Sequence, residues 1–430
     1  MKILNYNSHN FWKLLDNHLS LRELETSSKI DAEVRSIIEN VKKYGDDQII
    51  QYSKDFDQIS LKINEIKLSD IKKLYSLKNL NRDTIESFRL AIKNLKIFHD
   101  KQFPQDYEVV NMNATLKSIW KPMDSVGIYI PGGNAIYPSS LIMSVVPAQI
   151  AGVKRIVCVT PPSNNFNSYI AFLLDELGIN EVYQVGGAQA IAALTFGTNT
   201  IKPVNKIFGP GNAYVAAAKK QVFGKVGIDL VAGPSEIIVV ADETSNAEWV
   251  ASDLMAQAEH DENAQSILIT NSKKFGEQVL EKINNLLKLV IKKDIINLSL
   301  KKNGLIIVMD DLLLSYKVIN KIGPEHLHLQ SKQNEDILKN IKNAGGIFLG
   351  NYSAEAFGDY IVGTNHVLPT SGASKFSSGL GVLDFMKKSS LVHMNESSFN
   401  NLSEHVKNIA DVEKLDAHKL SVTVRQTKKN

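Results

Sequence analysis

The strongest constraint on the fold of this chain is a rhythm that begins at Val126. Short apolar runs end in glycine or proline and alternate with stretches of helical length. The runs are Val126-Gly-Ile-Tyr-Ile-Pro-Gly-Gly, Ile156-Val-Cys-Val-Thr-Pro-Pro, Val182-Tyr-Gln-Val-Gly-Gly and Ile207-Phe-Gly-Pro-Gly-Asn. Between them, residues 139–151, 168–177, 188–196 and 213–223 read as helices. Strands alternating with helices of this length predict βαβ units and a mostly parallel sheet, with the glycines at strand C-terminal ends, where such sheets bind ligands. A second series starts at Glu236-Ile-Ile-Val-Val and continues through Ser266-Ile-Leu-Ile, Gly304-Leu-Ile-Ile-Val, His326-Leu-His-Leu and Gly346-Ile-Phe-Leu. Residues 249–261 and 273–287 are its helices.

The 430 residues therefore divide into four parts. Residues 1–125 form an N-terminal helical region expected to pack on the second α/β unit. Its helices are read over 30–52 (Val34, Ile37, Ile38, Val41), with apolar residues three and four apart, and over 85–98, where Phe88, Leu90, Ile92, Leu95 and Phe98 are read as repeating the pattern. Residues 126–235 form the first α/β unit and 236–378 the second. Residues 379–430 form a short helical tail with no strand run of its own. The fold class is α/β, with two Rossmann-like units.

Charge and cysteine content remove several function classes. Lys plus Arg is 49 against 46 for Asp plus Glu, a net charge of +3, which is not the balance of a nucleic-acid polyelectrolyte binder. A single cysteine excludes disulfide frameworks and Cys-rich metal centres, so any metal must be held by N and O ligands. That cysteine, Cys158, lies inside an apolar strand and reads as a small buried hydrophobe rather than a nucleophile. The start of the sequence has no apolar h-region and no window has transmembrane hydrophobicity, so the expectation is a soluble cytoplasmic protein with no membrane contact.

The glycine turns Pro131-Gly132-Gly133, Gly186-Gly187-Ala188-Gln189 and Gly209-Pro210-Gly211-Asn212 all fall in one unit. Glycine lets backbone N–H groups approach an anion, and each following helix N-terminus favours negative charge. None matches GxGxxG, and each alone reads as a tight turn before an anion site; together they make a nucleotide plausible. Gln257 and His260 are three apart in a helical stretch and can converge on one ion, which is half a zinc site with an unusual Gln ligand. The bland alternative is a surface histidine. Asp359 sits in a glycine-containing loop, and His418 in the tail, taken alone, reads as an exposed helix-end residue. Glu325 and His326 are neighbours that can act together only where the backbone turns, as Pro324 suggests; a structural histidine is the competing reading.

Taken together, these residues resemble the histidinol dehydrogenase family over nearly the whole chain. The resemblance is densest in Gly127-IYIPGGNAIYPSSLIM, Val185-GGAQAIAAL, Phe208-GPGN, Leu230-VAGPSEI, Leu254-MAQAEHD, Gly323-PEHL, Phe357-GDYIVGTNHVLPTSG and Leu415-DAHK. It implies one zinc ion per subunit on Gln257, His260, Asp359 and His418, and proton transfer by Glu325 and His326. NAD contacts are implied for Tyr129, Gln189 and Asn212. Substrate contacts fall on Ser235 and Glu413, besides Gln257, His260, His326, Asp359 and His418. The implied reaction is oxidation of L-histidinol to L-histidine through the aldehyde with two NAD, the last step of histidine biosynthesis. The implied assembly is a homodimer in which the tail, 379–430, reaches the partner's site. Two competing readings are a zinc-dependent hydrolase with Glu325 as base, which would not need the glycine turns, and a nucleotide-binding regulatory module, which missing site residues would favour.

Overall fold

The computed structural model describes residues 1–20, 28–132, 137–231 and 233–426. Gly133 of the first glycine turn lies outside them. The chain opens with β1 (Lys2–Asn5), and a hairpin of β2 (Tyr107–Asn111) and β3 (Ala114–Pro122) follows the N-terminal helices. Met112 and Asn113 at its tip both take positive φ, the backbone that two-residue hairpin turns require. The first α/β unit contains β4 (Ser125–Tyr129), β5 (Arg155–Thr160), β6 (Glu181–Gln184), β7 (Lys206–Phe208) and β8 (Gly227–Ile228). The second contains β9 (Glu236–Val240), β10 (Gln265–Thr270), β11 (Leu305–Val308), β12 (His326–Leu329) and β13 (Gly346–Leu349). A last strand, β14 (Met386–His393), precedes two C-terminal helices.

Both units are parallel sheets, as the alternation predicts. The first has the order β6-β5-β4-β7-β8, and the second β11-β10-β9-β12-β13 with β1 added beyond β11. In each, the chain starts in the middle, runs outward, returns and runs out the other way. The switch point lies between β4 and β7 in one and between β9 and β12 in the other. Central strands such as β4, β9 and β10 are buried along their whole length, which is why they read as unbroken apolar runs rather than alternating ones.

Three features depart from the sequence reading. The N-terminal region divides its packing. β1 pairs with β11, and Phe11 and Leu15 join the core of the second unit. The helices Ser28–Tyr44, Asp46–Phe56 and Arg82–His99 instead pack on the first unit, with Val34, Ile38 and Val41 against Val157, Ile191 and Ala192, and Leu95 against Leu141 and Ile142. An apolar stripe announces that a helix has a partner, not which one. The periodicity over 30–52 predicts one helix, but Gly45 at φ +58 divides it in two. The tail is also more than helical: β14 pairs antiparallel with β3 to make a three-stranded sheet with β2. Its residues 387–393 are exposed, so no strand-like burial alternation marks it.

Among the described residues no helix is long and apolar enough to cross a membrane.

Candidate active site

The first unit builds its candidate site at strand C-terminal ends. Tyr129 is the last residue of β4, and its phenol oxygen accepts a hydrogen bond from the Gly187 N–H (3.1 Å), so its own O–H remains to donate. Gly209 follows β7 directly, at φ +106, with its Cα against the Tyr129 peptide; a side chain there would collide with the Tyr129 carbonyl. That contact closes the switch point. The turn is held from beneath by a buried ion pair. Lys219 Nζ donates to the Gly209 carbonyl (2.6 Å) and to Asp229 Oδ1 (2.5 Å), while Asp229 Oδ2 accepts from the Gly209 N–H (2.8 Å). Gln189 is buried in the first turn of the helix Gly187–Phe196. Asn212 caps the helix Ala213–Val222, its Oδ1 accepting from the N–H groups of Tyr214 and Val215, which leaves Nδ2 free to face a ligand. The N-termini of both helices thus point at the same edge and favour negative charge there. Cys158 is fully buried in β5, where burial pushes its thiol up and keeps it from acting as a nucleophile.

The second unit carries titratable groups instead. Glu236 is the first residue of β9 and His326 the first of β12. The Glu236 N–H donates to Glu325 Oε2 (2.9 Å), and its carbonyl faces His326 Nδ1 (3.2 Å). The backbone of one residue therefore holds both members of the couple, and Glu325 Oε2 comes within 3.7 Å of His326 Nδ1. This is the backbone turn that Pro324 suggests, since Glu325 lies just before the strand. A carbonyl only accepts, so Nδ1 carries a proton and Nε2 is left for proton exchange. Nε2 lies 3.7 Å from Asp359 Oδ1.

Glu325 (7 % exposed) and His326 (3 %) are buried. Burial pushes the Glu325 carboxyl up to about 7. Burial alone would lower His326, but the carboxylates of Glu355, Glu325 and Asp359 outweigh it and raise the imidazole to about 10. Glu355 is pushed up to about 8 by burial and by its neighbours Asp359, Glu325 and Asp253.

The helix Ala247–Ala258 ends at the same edge of the sheet. Gln257 is in its last turn and buried, and it meets Glu355. His260 lies beyond the helix end and is exposed, so it does not share a helix face with Gln257; the turn after Glu259 redirects it, and its charge is felt at Asp359. Asp359 is in a short helix, Glu355–Tyr360, rather than a loop. Ser235 immediately precedes β9, its carbonyl accepting from the Gln265 N–H (2.9 Å). Glu413 ends the helix Glu396–Glu413 and His418 lies in Asp416–Thr423; both are exposed. His418 is not gathered with His260 and Asp359 in one chain: no group of three or more His, Cys, Asp or Glu that could hold a metal occurs among the described residues.

Two residues of the cluster escape the sequence reading. His366 Nδ1 bonds the Asp359 carbonyl (2.9 Å), and its Nε2 meets Ser140 Oγ (3.4 Å) at the start of the helix Pro138–Ala151, so it ties the two units together. Nothing local marks it. Glu355 had a signal: it stands four residues before Asp359, so one helix face carries two carboxylates. A cleft of about 680 Å³, lined by His326, Phe348, Phe357, Asp359, Thr364 and His366, opens over the couple. Its size suits a small molecule.

Two same-topology parallel units, one ending in glycine turns and one in a buried acid–base couple joined to it through His366, make an α/β enzyme of the two-unit dehydrogenase class. A family model described as histidinol dehydrogenase matches residues 20–426. The chain is 45 % identical over 410 residues to the histidinol dehydrogenase of Clostridium acetobutylicum, covering 95 % of each chain. It is 43 % identical to that of Brucella suis, covering 93 % of this chain and 94 % of the relative. The crystal structure of histidinol dehydrogenase from Elizabethkingia anophelis superposes with a TM-score of 0.93 at 36 % identity, over 99 % of this chain and 98 % of that one. The chain belongs to the histidinol dehydrogenase family.

Proposed function

We propose that this protein oxidises L-histidinol to L-histidine through the aldehyde, using two NAD, as the last step of histidine biosynthesis, in the cytoplasm. The observation that carries the reading is the Glu325–His326 couple, held by the backbone of Glu236 in β9, with His326 lining a cleft. NAD would be held at the first unit's glycine turns by Tyr129, Gln189 and Asn212. A zinc ion would be held by Gln257, His260 and Asp359, with His418 supplied by the partner's tail. Burial and mutual repulsion beside Asp359 oppose ionisation of Glu325 and Glu355, and a helix C-terminus adds partial negative charge there, so a cation at this edge would let those carboxyls ionise. When bound, zinc holds the substrate's amine and imidazole in place and polarises the reacting oxygen, and NAD accepts the hydride.

The chain's own residues do the proton work. In its neutral form, which a cation offsetting the surrounding carboxylates would favour, His326 takes the alcohol proton at Nε2, with Nδ1 anchored so that the ring cannot swing away. Glu325 takes a proton from the water that hydrates the aldehyde. Ser235, beside this couple, contacts the substrate. Since Glu325 is held up to about 7, its proton-accepting form is gained as pH rises through about 7, and aldehyde oxidation rises over that window. No observation favours the hydrolase reading, and no site residue is missing that would favour a regulatory module.

The active assembly is a homodimer with shared sites. Glu413 and His418 sit on helices that pack on each other and leave Val406, Ile409, Val412 and Leu420 exposed, an apolar face suited to a second copy. This supports a tail that completes the partner's metal site.

Counting NADH against histidinol consumed tests the reaction. Two per substrate, abolished by a chelator, is expected; one or none would refute it. Glu325→Gln is expected to impair aldehyde oxidation more than alcohol oxidation, and equal loss of both would reassign Glu325. Heterodimers of Glu325→Gln and His418→Ala chains should regain activity, because one of their two sites carries neither change.

A further inference from the structure

Glu355 is a buried carboxylate to which none of these roles belongs. It opens the helix Glu355–Tyr360 one turn before Asp359 and faces the Gln257 amide across the site. An amide oxygen placed there would face only acceptors, so the end of the amide that meets Glu355 is assigned as Nε2, donating to Oε2 at 3.0 Å and also contacting Oε1. The other carboxylate near this helix turn, Asp253, is already engaged: its Oδ2 accepts from Gln330 Nε2 (2.7 Å) and lies 3.1 Å from His328 Nδ1. With Nε2 tied to Glu355, Oε1 is turned to the opposite side of the amide.

This matters because glutamine is an ambiguous ligand. Its oxygen binds a cation and its NH₂ end repels one, and a free amide presents either. We propose that Glu355 is a positioning residue that locks the Gln257 amide so that Oε1, not Nε2, faces the cation. The inference rests on the metal reading given above and adds to it the reason a glutamine can serve. Two carboxylates a turn apart on one helix repel each other.

The test uses Zn²⁺ alone, titrated into the intact metal-free protein against a chromophoric chelator. Glu355→Gln keeps the shape but offers Gln257 an amide that pairs in either orientation. Zn²⁺ affinity is expected to fall by about 10–100-fold, as when a group orienting a metal ligand is lost. Glu355→Asp, which still only accepts, should lose less. The reciprocal change, Gln257→Glu with Glu355→Gln, reverses the hydrogen bond and leaves an oxygen facing the metal; it should regain roughly tenfold over Glu355→Gln alone. Cobalt-loaded protein should show a changed visible spectrum in Glu355→Gln and a recovered one in the double variant. Unchanged Zn²⁺ affinity in Glu355→Gln, a larger loss in Glu355→Asp, or a double variant no better than the single one would overturn the proposal. Failure of the unsubstituted protein to bind Zn²⁺ would instead overturn the metal reading, and this inference with it.

Discussion

The two α/β units share one strand order and use opposite edges of it. In the first, Tyr129 ends β4 and Gly209 follows β7, so the candidate site lies at strand C-termini. In the second, Glu236 begins β9 and His326 begins β12, so the couple lies at strand N-termini. Both sites nevertheless sit at the switch point, where neighbouring connections part and leave a crevice. The difference has an electrostatic consequence. Helices in a parallel α/β unit run against the strands, so one edge of the sheet gathers helix N-termini and the other gathers C-termini. The first unit presents N-termini, Gly187–Phe196 and Ala213–Val222, which favour an anion such as a dinucleotide's pyrophosphate. The second presents the C-terminus of Ala247–Ala258 beside Glu355 and Asp359, which favours a cation. One topology thus supplies two sites of opposite preference.

The comparison breaks most sharply at His326. Replacing it by glutamine removes the proton acceptor and should lower turnover by roughly 10²–10⁴-fold while NAD affinity, measured by calorimetry, is unchanged. A matching loss of NAD affinity would mean that the two edges are not functionally separate.

Lys219→Met strikes the other unit. It leaves Asp229 buried without its partner and frees the Gly209 turn, so the expected cost is about 3–5 kcal/mol of stability in denaturant unfolding. Provided the variant folds, the KM for NAD should rise far more than kcat falls. A purely structural pair would lower stability and leave KM alone.

The smallest effect is a pH dependence beneath Tyr129. Burial raises the Asp57 carboxyl to about 6 from an ordinary 3.8, and its Oδ2 has no hydrogen-bond partner among the described residues. The folded state therefore holds this proton more tightly than the unfolded chain. The penalty is absent below the unfolded value, grows as pH rises from about 4 to about 6, and is constant above. Asp57→Asn should show little gain in melting temperature at pH 4 and a steady gain above pH 6. A gain that shrinks with rising pH would contradict the sign.

Much of this was legible without coordinates. The apolar runs and their glycine stops mark every strand of the two units except β1 and the two-residue β8. Cys158 was legible as a core residue because its neighbours in β5 are apolar. The couple was legible as a pair, but only Pro324 hinted that neighbours could share a side. Strand β14 was not legible, since its pairing with β3 is decided by main-chain hydrogen bonds and its side chains are exposed. Nor was the packing of Ser28–Tyr44 on the first unit: its stripe of Val34, Ile38 and Val41 would have suited either sheet.

By itself, the sequence determined the class of most elements of the two α/β units and the chemical inventory, because periodicity and residue type are local properties. Tertiary structure alone decided that β14 pairs with β3, that the backbone of Glu236 grips both Glu325 and His326, and that Glu355 meets Gln257. Those are relations between residues about 90 positions apart or more, brought together only when burial of the apolar strands sets their order and register.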